Sequence, residues 1–236
     1  MLDVIADSRP SSPAVFYQGD VLSYGDLRQQ AREAARGLLA LGVTRGDRVG
    51  VLLGNQPEWL VMCFAAAYVG ATFVPLNTWY KRTELAWTLR HCELSILVFA
   101  PRFINQNFAA MFSELIPDLS KADPSLLRSP EFPRLRALVA LGEDVPGTMR
   151  WTEFLSGASS VSSTTLAAAS ARVAGEDFAF ILYTSGSLAE PKGVLLNHRS
   201  ALENGFDMGE RRAIIADDRI WLGSPLFYGL GATNAL

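Results

Sequence analysis

The chain has 236 residues, enough for one large domain or for one domain and part of a second. With 49% hydrophobic and 19% charged residues, a sizeable core is expected. A formal net charge of −3 gives no reason to expect a nucleic-acid partner, and short basic pairs such as Lys81-Arg82 and Arg211-Arg212 read as solvated faces.

The opening stretch, MLDVIADSRP, carries acidic residues and no apolar run, so it does not read as a signal peptide. Ala14–Tyr17 and Val21-Leu22, joined by Gln18-Gly19-Asp20, predict a small hairpin. Ser23 stands three residues before Asp26 as in a capping box, and Tyr24, Leu27, Ala31, Ala34, Leu38 and Leu41 follow at helical spacing up to Gly42. Val49–Leu53 predicts a buried strand, and Asn55 with Glu58 repeats the capping pattern ahead of a helix whose first turn holds Pro57.

The apolar run Trp59–Leu76 is long enough to raise the question of a membrane span, but Gly70 and Pro75 interrupt it. A buried helix leading into a buried strand, Ala71–Val74, is expected instead. A helix over Thr83–His91 and strands over Ser95–Phe99 and Leu135–Leu141 continue the alternation, which indicates an α/β fold of layered sheets with flanking helices. Pro117–Pro133 reads as loop with short helical pieces, and the Ser/Thr/Ala-rich segment 156–170 as a surface linker. The expected organisation is an α/β unit over 1–175 and a second unit beginning at 176–236. Cys63 and Cys92 are far apart, lack metal-ligand spacing and form no disulfide scaffold, so a cytoplasmic setting is expected.

The richest stretch is Tyr183–Gly193, YTSGSLAEPKG, which follows the predicted strand Phe178–Tyr183. Glycine backbone and hydroxyl donors suit a multiply charged anion, and Lys192 adds a compact positive charge. It is not a Walker A loop, because Lys192-Gly193 leads into a strand, Val194–Leu196, rather than a helix. Helix is expected only after Asn197, over His198 to about Arg211. Taken by composition alone, the stretch reads first as a Ser/Gly-rich surface hairpin with nothing bound, since such loops are common.

The order of residues resembles the phosphate-binding signature of the adenylate-forming superfamily, at Tyr183, Thr184, Ser185, Gly186, Ser187, Pro191, Lys192 and Gly193. VLSYGDL, GVTRGDRVGVLLGNQPEWL and the run to FVPLN resemble the family's opening segment, while GVLLNHRSALEN and SPLFYGLG resemble segments after the loop. The resemblance implies the N-terminal part of an acyl-CoA synthetase, truncated within its large domain. Such an enzyme activates a carboxylic acid, fatty or other organic, as acyl-AMP and passes it to coenzyme A, with ATP and Mg2+. Thr184, Ser185, Gly186, Ser187, Lys192 and Gly193 would bind the nucleotide's phosphates, and Tyr228, Gly229 and Gly231 would border the acid.

Three positions depart from the pattern. Leu188 replaces a hydroxyl residue, Ala189 a glycine, and Tyr228 a histidine common in relatives. Tyr228 either shapes substrate choice or packs beneath the loop, and His198 reads as structural. The resemblance further implies that the adenine, ribose and Mg2+ contacts and the catalytic lysine belong to a missing C-terminal portion. No catalytic residue is then expected here, and the 236 residues alone would be inactive. A non-catalytic nucleotide- or protein-binding homologue, and an adenylation domain with another acceptor, are the alternatives. Gly229-Leu230-Gly231 lacks the rest of a dinucleotide-binding fingerprint.

Overall fold

The turn Gln18-Gly19 uses left-handed backbone at both residues, and it joins β1 (Pro13–Tyr17) to β2 (Asp20–Ser23) in the expected hairpin. The computed structural model that shows this describes residues 1–184 and 190–235. A short helix, α1 (Leu2–Ser8), precedes the hairpin. The capping box forms as read: Ser23 Oγ accepts from the Asp26 N–H, and Asp26 accepts from the Ser23 N–H, opening α2 (Tyr24–Ala40). Gly42, at φ +72°, takes the left-handed position past its end.

The chain then alternates through β3 (Arg48–Leu52), α3 (Pro57–Val69), β4 (Thr72–Pro75), α4 (Arg82–Cys92) and β5 (Ile96–Phe99). Two short strands, β6 (Arg102–Phe103) and β7 (Gln106–Asn107), pair with each other before α5 (Phe108–Leu115). After a loop with a single 3-10 turn come β8 (Ala137–Ala140), β9 (Met149–Arg150), α6 (Trp151–Ser156) and α7 (Ser163–Ser170). β10 (Phe178–Thr184), β11 (Lys192–Asn197), α8 (His198–Arg211) and α9 (Gly229–Ala235) complete the described elements.

Among the described residues these strands build a seven-stranded sheet in the order β11-β10-β4-β3-β5-β8-β9. All its pairings are parallel except β10 with β11. The inner strands are buried on both faces, which explains their near-continuous apolar sequences. One face, carrying Val49, Val51, Ile96 and Val98, packs with residues of α2, α3, α6 and α7; the other, carrying Leu97, Phe99 and Leu138, packs with α4 and α5. Asp47 ties the strand starts together, accepting from the Thr44 N–H (2.9 Å), Ser95 Oγ (3.1 Å) and Arg136 Nη2 (2.9 Å).

Two expectations are corrected. The segment 156–170 is not a linker: a 3-10 turn over Gly157–Ser160 leads to α7, capped by Ser162 and anchored on the core by buried Ala158 and Leu166. Asn55 does not cap α3, whose N-cap is Gln56 with no side-chain cap bond; its carboxamide points elsewhere. The run Trp59–Leu76 divides into helix and strand as read, and among the described residues no helix is long and apolar enough to cross a membrane. Cys63 and Cys92 are both buried free thiols, and burial pushes Cys92 up to about 12.

Candidate functional site

β10 alternates its side chains between the two layers, Phe180 and Leu182 toward one and Ile181 and Tyr183 toward the other. That alternation anchors the strand at three heights. At its base Arg45 grips Asp177 with two of its guanidinium nitrogens, Nε–Oδ2 2.8 Å and Nη2–Oδ1 2.5 Å, and Thr72 Oγ1 donates to the Phe178 carbonyl at 3.2 Å. The Arg45 guanidinium holds the Asp177 carboxyl down to about 2. At mid-height Phe180 pairs with Phe73 of β4, and an edge-to-face series Trp59–Phe73–Phe180 (centroids 4.8 and 5.9 Å) joins α3, β4 and β10.

Near the top, the Tyr183 phenol hydrogen-bonds His91 Nδ1 of α4 at 2.8 Å. Trp87, one turn earlier on that helix, stacks on the imidazole at 4.5 Å and meets the Tyr183 ring edge-on at 6.2 Å. Desolvation raises the Tyr183 phenol far above its ordinary value, so this residue is a neutral buttress.

β11 returns antiparallel, with Tyr183 opposite Gly193 and Thr184 opposite Lys192. The hairpin therefore holds the predicted loop between two strands, as its sequence indicated. Thr184 Oγ1 reaches the Lys192 carbonyl at 3.4 Å, and Lys192 is exposed with no ion-pair partner among the described residues. A Cβ on Gly193 would lie 2.9 Å from Ile181 Cγ2, so glycine here permits tight packing within the hairpin. Ser185, Gly186 and Ser187, like Leu188 and Ala189, lie outside the described residues.

An open cleft of about 670 Å³ runs beside the hairpin, lined in part by Arg45, Arg48, His91, Asp177, Tyr183 and Leu195. Its two arginines are already paired, Arg45 with Asp177 and Arg48 with Glu93, which argues against it as the phosphate site. Among the described residues no group of three or more His, Cys, Asp or Glu side chains forms a metal centre.

The second group of predicted residues lies on the segment after α8. Tyr228 stacks obliquely on Phe227 (4.5 Å) and meets Trp79 edge-on at 5.8 Å, while Trp79 also meets Phe227 at 5.5 Å. Gly229 faces β10, where a Cβ would rest 3.7 Å from Leu182 Cδ1. Gly231 is a true close approach: a Cβ would fall 2.1 Å from the Pro225 carbonyl oxygen. Trp79 and His91 were not singled out from sequence, and Asn55 was read only as a helix cap; each acts on residues far along the chain, and no local pattern announces that. His198, expected to be structural, has its Nε2 buried without a hydrogen-bond partner among the described residues, and desolvation holds its imidazole below its ordinary pKa.

The family model described as AMP-binding enzyme matches residues 2–236. The chain is 30% identical to the candidate acyl-CoA synthetase YngI of Bacillus subtilis (strain 168), over 98% of the chain and 43% of that protein. It is 29% identical to the mitochondrial medium-chain acyl-CoA ligase ACSF2 of Bos taurus, over 99% of the chain and 39% of that protein. The chain thus spans about two fifths of the length of these curated relatives. The fold is shared with the inhibitor-bound N-terminal domain of FACL13 from Mycobacterium tuberculosis, with a TM-score of 0.72 at 22% identity over 99% of this chain and 52% of that one. The N-terminal reading is consistent with these spans, and with a match along nearly its whole length the chain belongs to the AMP-binding enzyme family.

Proposed function

We propose that this chain supplies the phosphate-binding hairpin and the first wall of the acid pocket of an ATP-dependent acid–thiol ligase. The reading rests on one observation: Thr184 and Lys192 are paired across β10 and β11, and the residues that join them in sequence include Ser185, Gly186 and Ser187. In the first half-reaction a carboxylate oxygen attacks the α-phosphorus, the bond to the β-phosphate oxygen breaks, and pyrophosphate leaves with the electron pair. In the second, a thiolate, that of coenzyme A, attacks the acyl carbon and AMP departs. Both partners of the first step are anions, so the chain's contribution is positioning and charge neutralisation. Lys192 and the loop donors bind the departing pyrophosphate, and Mg2+ arrives with the nucleotide as Mg·ATP. The acid would lie on the Phe227–Tyr228 side.

Loss of a hydrogen bond to a charged group costs roughly 1.5–3 kcal/mol, so Lys192→Ala is expected to weaken Mg·ATP binding about 10- to 150-fold in calorimetric titration. Leu188→Thr, which restores a hydroxyl, is expected to strengthen it. Unchanged affinity in Lys192→Ala would refute the assignment. Lys192-dependent binding without carboxylate-dependent ATP–pyrophosphate exchange would instead identify a nucleotide-binding homologue that does not adenylate.

A further inference from the structure

Asn55 sits in the short connection between β3 and α3, half-buried, with its carboxamide directed at a segment some 170 residues further along. Its Nδ2 donates to the Ser224 carbonyl at 2.9 Å and to the Leu222 carbonyl at 3.3 Å, and its Oδ1 accepts the Leu226 N–H at 2.9 Å. These bonds bracket Pro225, which has no N–H of its own. The turn they enclose closes with the Tyr228 N–H on the Pro225 carbonyl at 3.1 Å, and the Ala232 N–H then bonds the Tyr228 carbonyl at 2.9 Å. Leu226 and Phe227 are buried beneath it, and Trp79 meets Phe227 and Tyr228 from outside.

The chemistry of this contact is restrictive. It needs two donor hydrogens and one acceptor on a single short side chain, which only a carboxamide supplies. An aspartate would accept from Leu226 but turn its charge toward two carbonyl oxygens; a leucine would leave the Leu226 N–H and both carbonyls without their partner.

We propose that Asn55 is a positioning residue, which fixes the Ser224–Tyr228 turn and so sets where Phe227 and Tyr228 stand. Its bearing on catalysis rests on the reading above, that this turn borders the acid. The turn gains its order from the β3–α3 connection, the sheet layer that also receives β10, so the acid side and the phosphate side of the site share one frame.

The test uses the full chain as expressed from its gene, with Asn55→Leu and Asn55→Asp. Hydrogen–deuterium exchange at the Leu226 amide is expected to rise roughly tenfold in Asn55→Leu, the size of one lost hydrogen bond, and less in Asn55→Asp, which keeps the acceptor. In carboxylate-dependent ATP–pyrophosphate exchange, KM for the acid should rise in Asn55→Leu while KM for Mg·ATP stays fixed. Leu226 protection equal to wild type in both variants overturns the proposal, as does a rise in both KM values together. Should Asn55→Leu fail to fold, Asn55→Asp carries the same two readouts. If the whole protein as expressed from its gene shows no exchange activity, the ligase reading fails by itself, and the Leu226 amide still decides whether Asn55 sets the turn.

Discussion

Two glycines inside helices should respond to the same substitution with opposite signs. Gly37 lies in α2 where the helix crosses α6, and a Cβ there would fall 2.8 Å from the Phe154 carbonyl oxygen and 2.9 and 3.0 Å from two of its ring carbons. Phe154 is fully buried and its ring already packs on Trp151 at 5.2 Å, so neither the backbone nor the ring can swing aside cheaply. Gly205 lies within α8, and a Cβ there meets nothing within 4 Å. Alanine gains about 1 kcal/mol over glycine in a helix at either place. At Gly37 an overpacking cost of about 1–3 kcal/mol is added. The helix gain cancels in the comparison, leaving Gly37→Ala about 1–3 kcal/mol less stable than Gly205→Ala. With a urea dependence of about 2 kcal/mol per molar, their midpoints should stand about 0.5–1.5 M apart in equilibrium unfolding followed by far-ultraviolet circular dichroism. Equal midpoints, both above wild type, would refute the close approach of α2 to α6.

Three further outcomes are expected. His198 titrates below its ordinary pKa because burial disfavours the imidazolium, so the unfolded chain takes up the proton first and stability falls as pH drops below about 6.5; His198→Gln should flatten that part of a urea-midpoint profile. Asp177 behaves with the same sign in a lower window, with a folded pKa of about 2 against about 3.9 unfolded: its contribution is complete above the unfolded value and is lost as pH falls toward 2. Asp177→Asn should therefore be less stable than wild type at pH 7, with the gap closing between about pH 4 and 2; a gap constant from pH 6 to 3 would exclude the Arg45 pairing. Tyr183→Phe keeps the ring but leaves His91 Nδ1 without its 2.8 Å partner, and should cost about 1 kcal/mol in the same unfolding assay.

Much of the architecture is legible because it rests on local rules. The Ser23–Asp26 box, the Gly42 stop, the apolar strands and the Asn197 cap each declare themselves within a few residues. Segment 157–170 does not, since only Ala158 and Leu166 are buried there and two inward residues eight apart make no stripe. α5 passes unannounced between two irregular stretches, although Asn107 caps it. Asn55 misleads for a physical reason: the same short carboxamide that suits a helix start also suits a turn, and only the fold decides between them. The site is half legible in the same way. Its loop has a sequence pattern, while the supports of that loop, His91 with Trp87 and Arg45 with Asp177, come from partners separated widely in the chain.

The position of the hairpin in the sheet also bears on how the molecule comes to exist. β4, β3, β5, β8 and β9 all derive from residues 48–150, so five adjacent strands are synthesised before β10. The Phe180–Phe73 pairing closes a span of roughly a hundred residues, the kind of distant contact that forms late. The β10–β11 hairpin is thus an addition to a finished edge. A nascent chain stalled near residue 170 should already protect the amides of β3 and β5 while the exposed edge of β4 waits for its last neighbour.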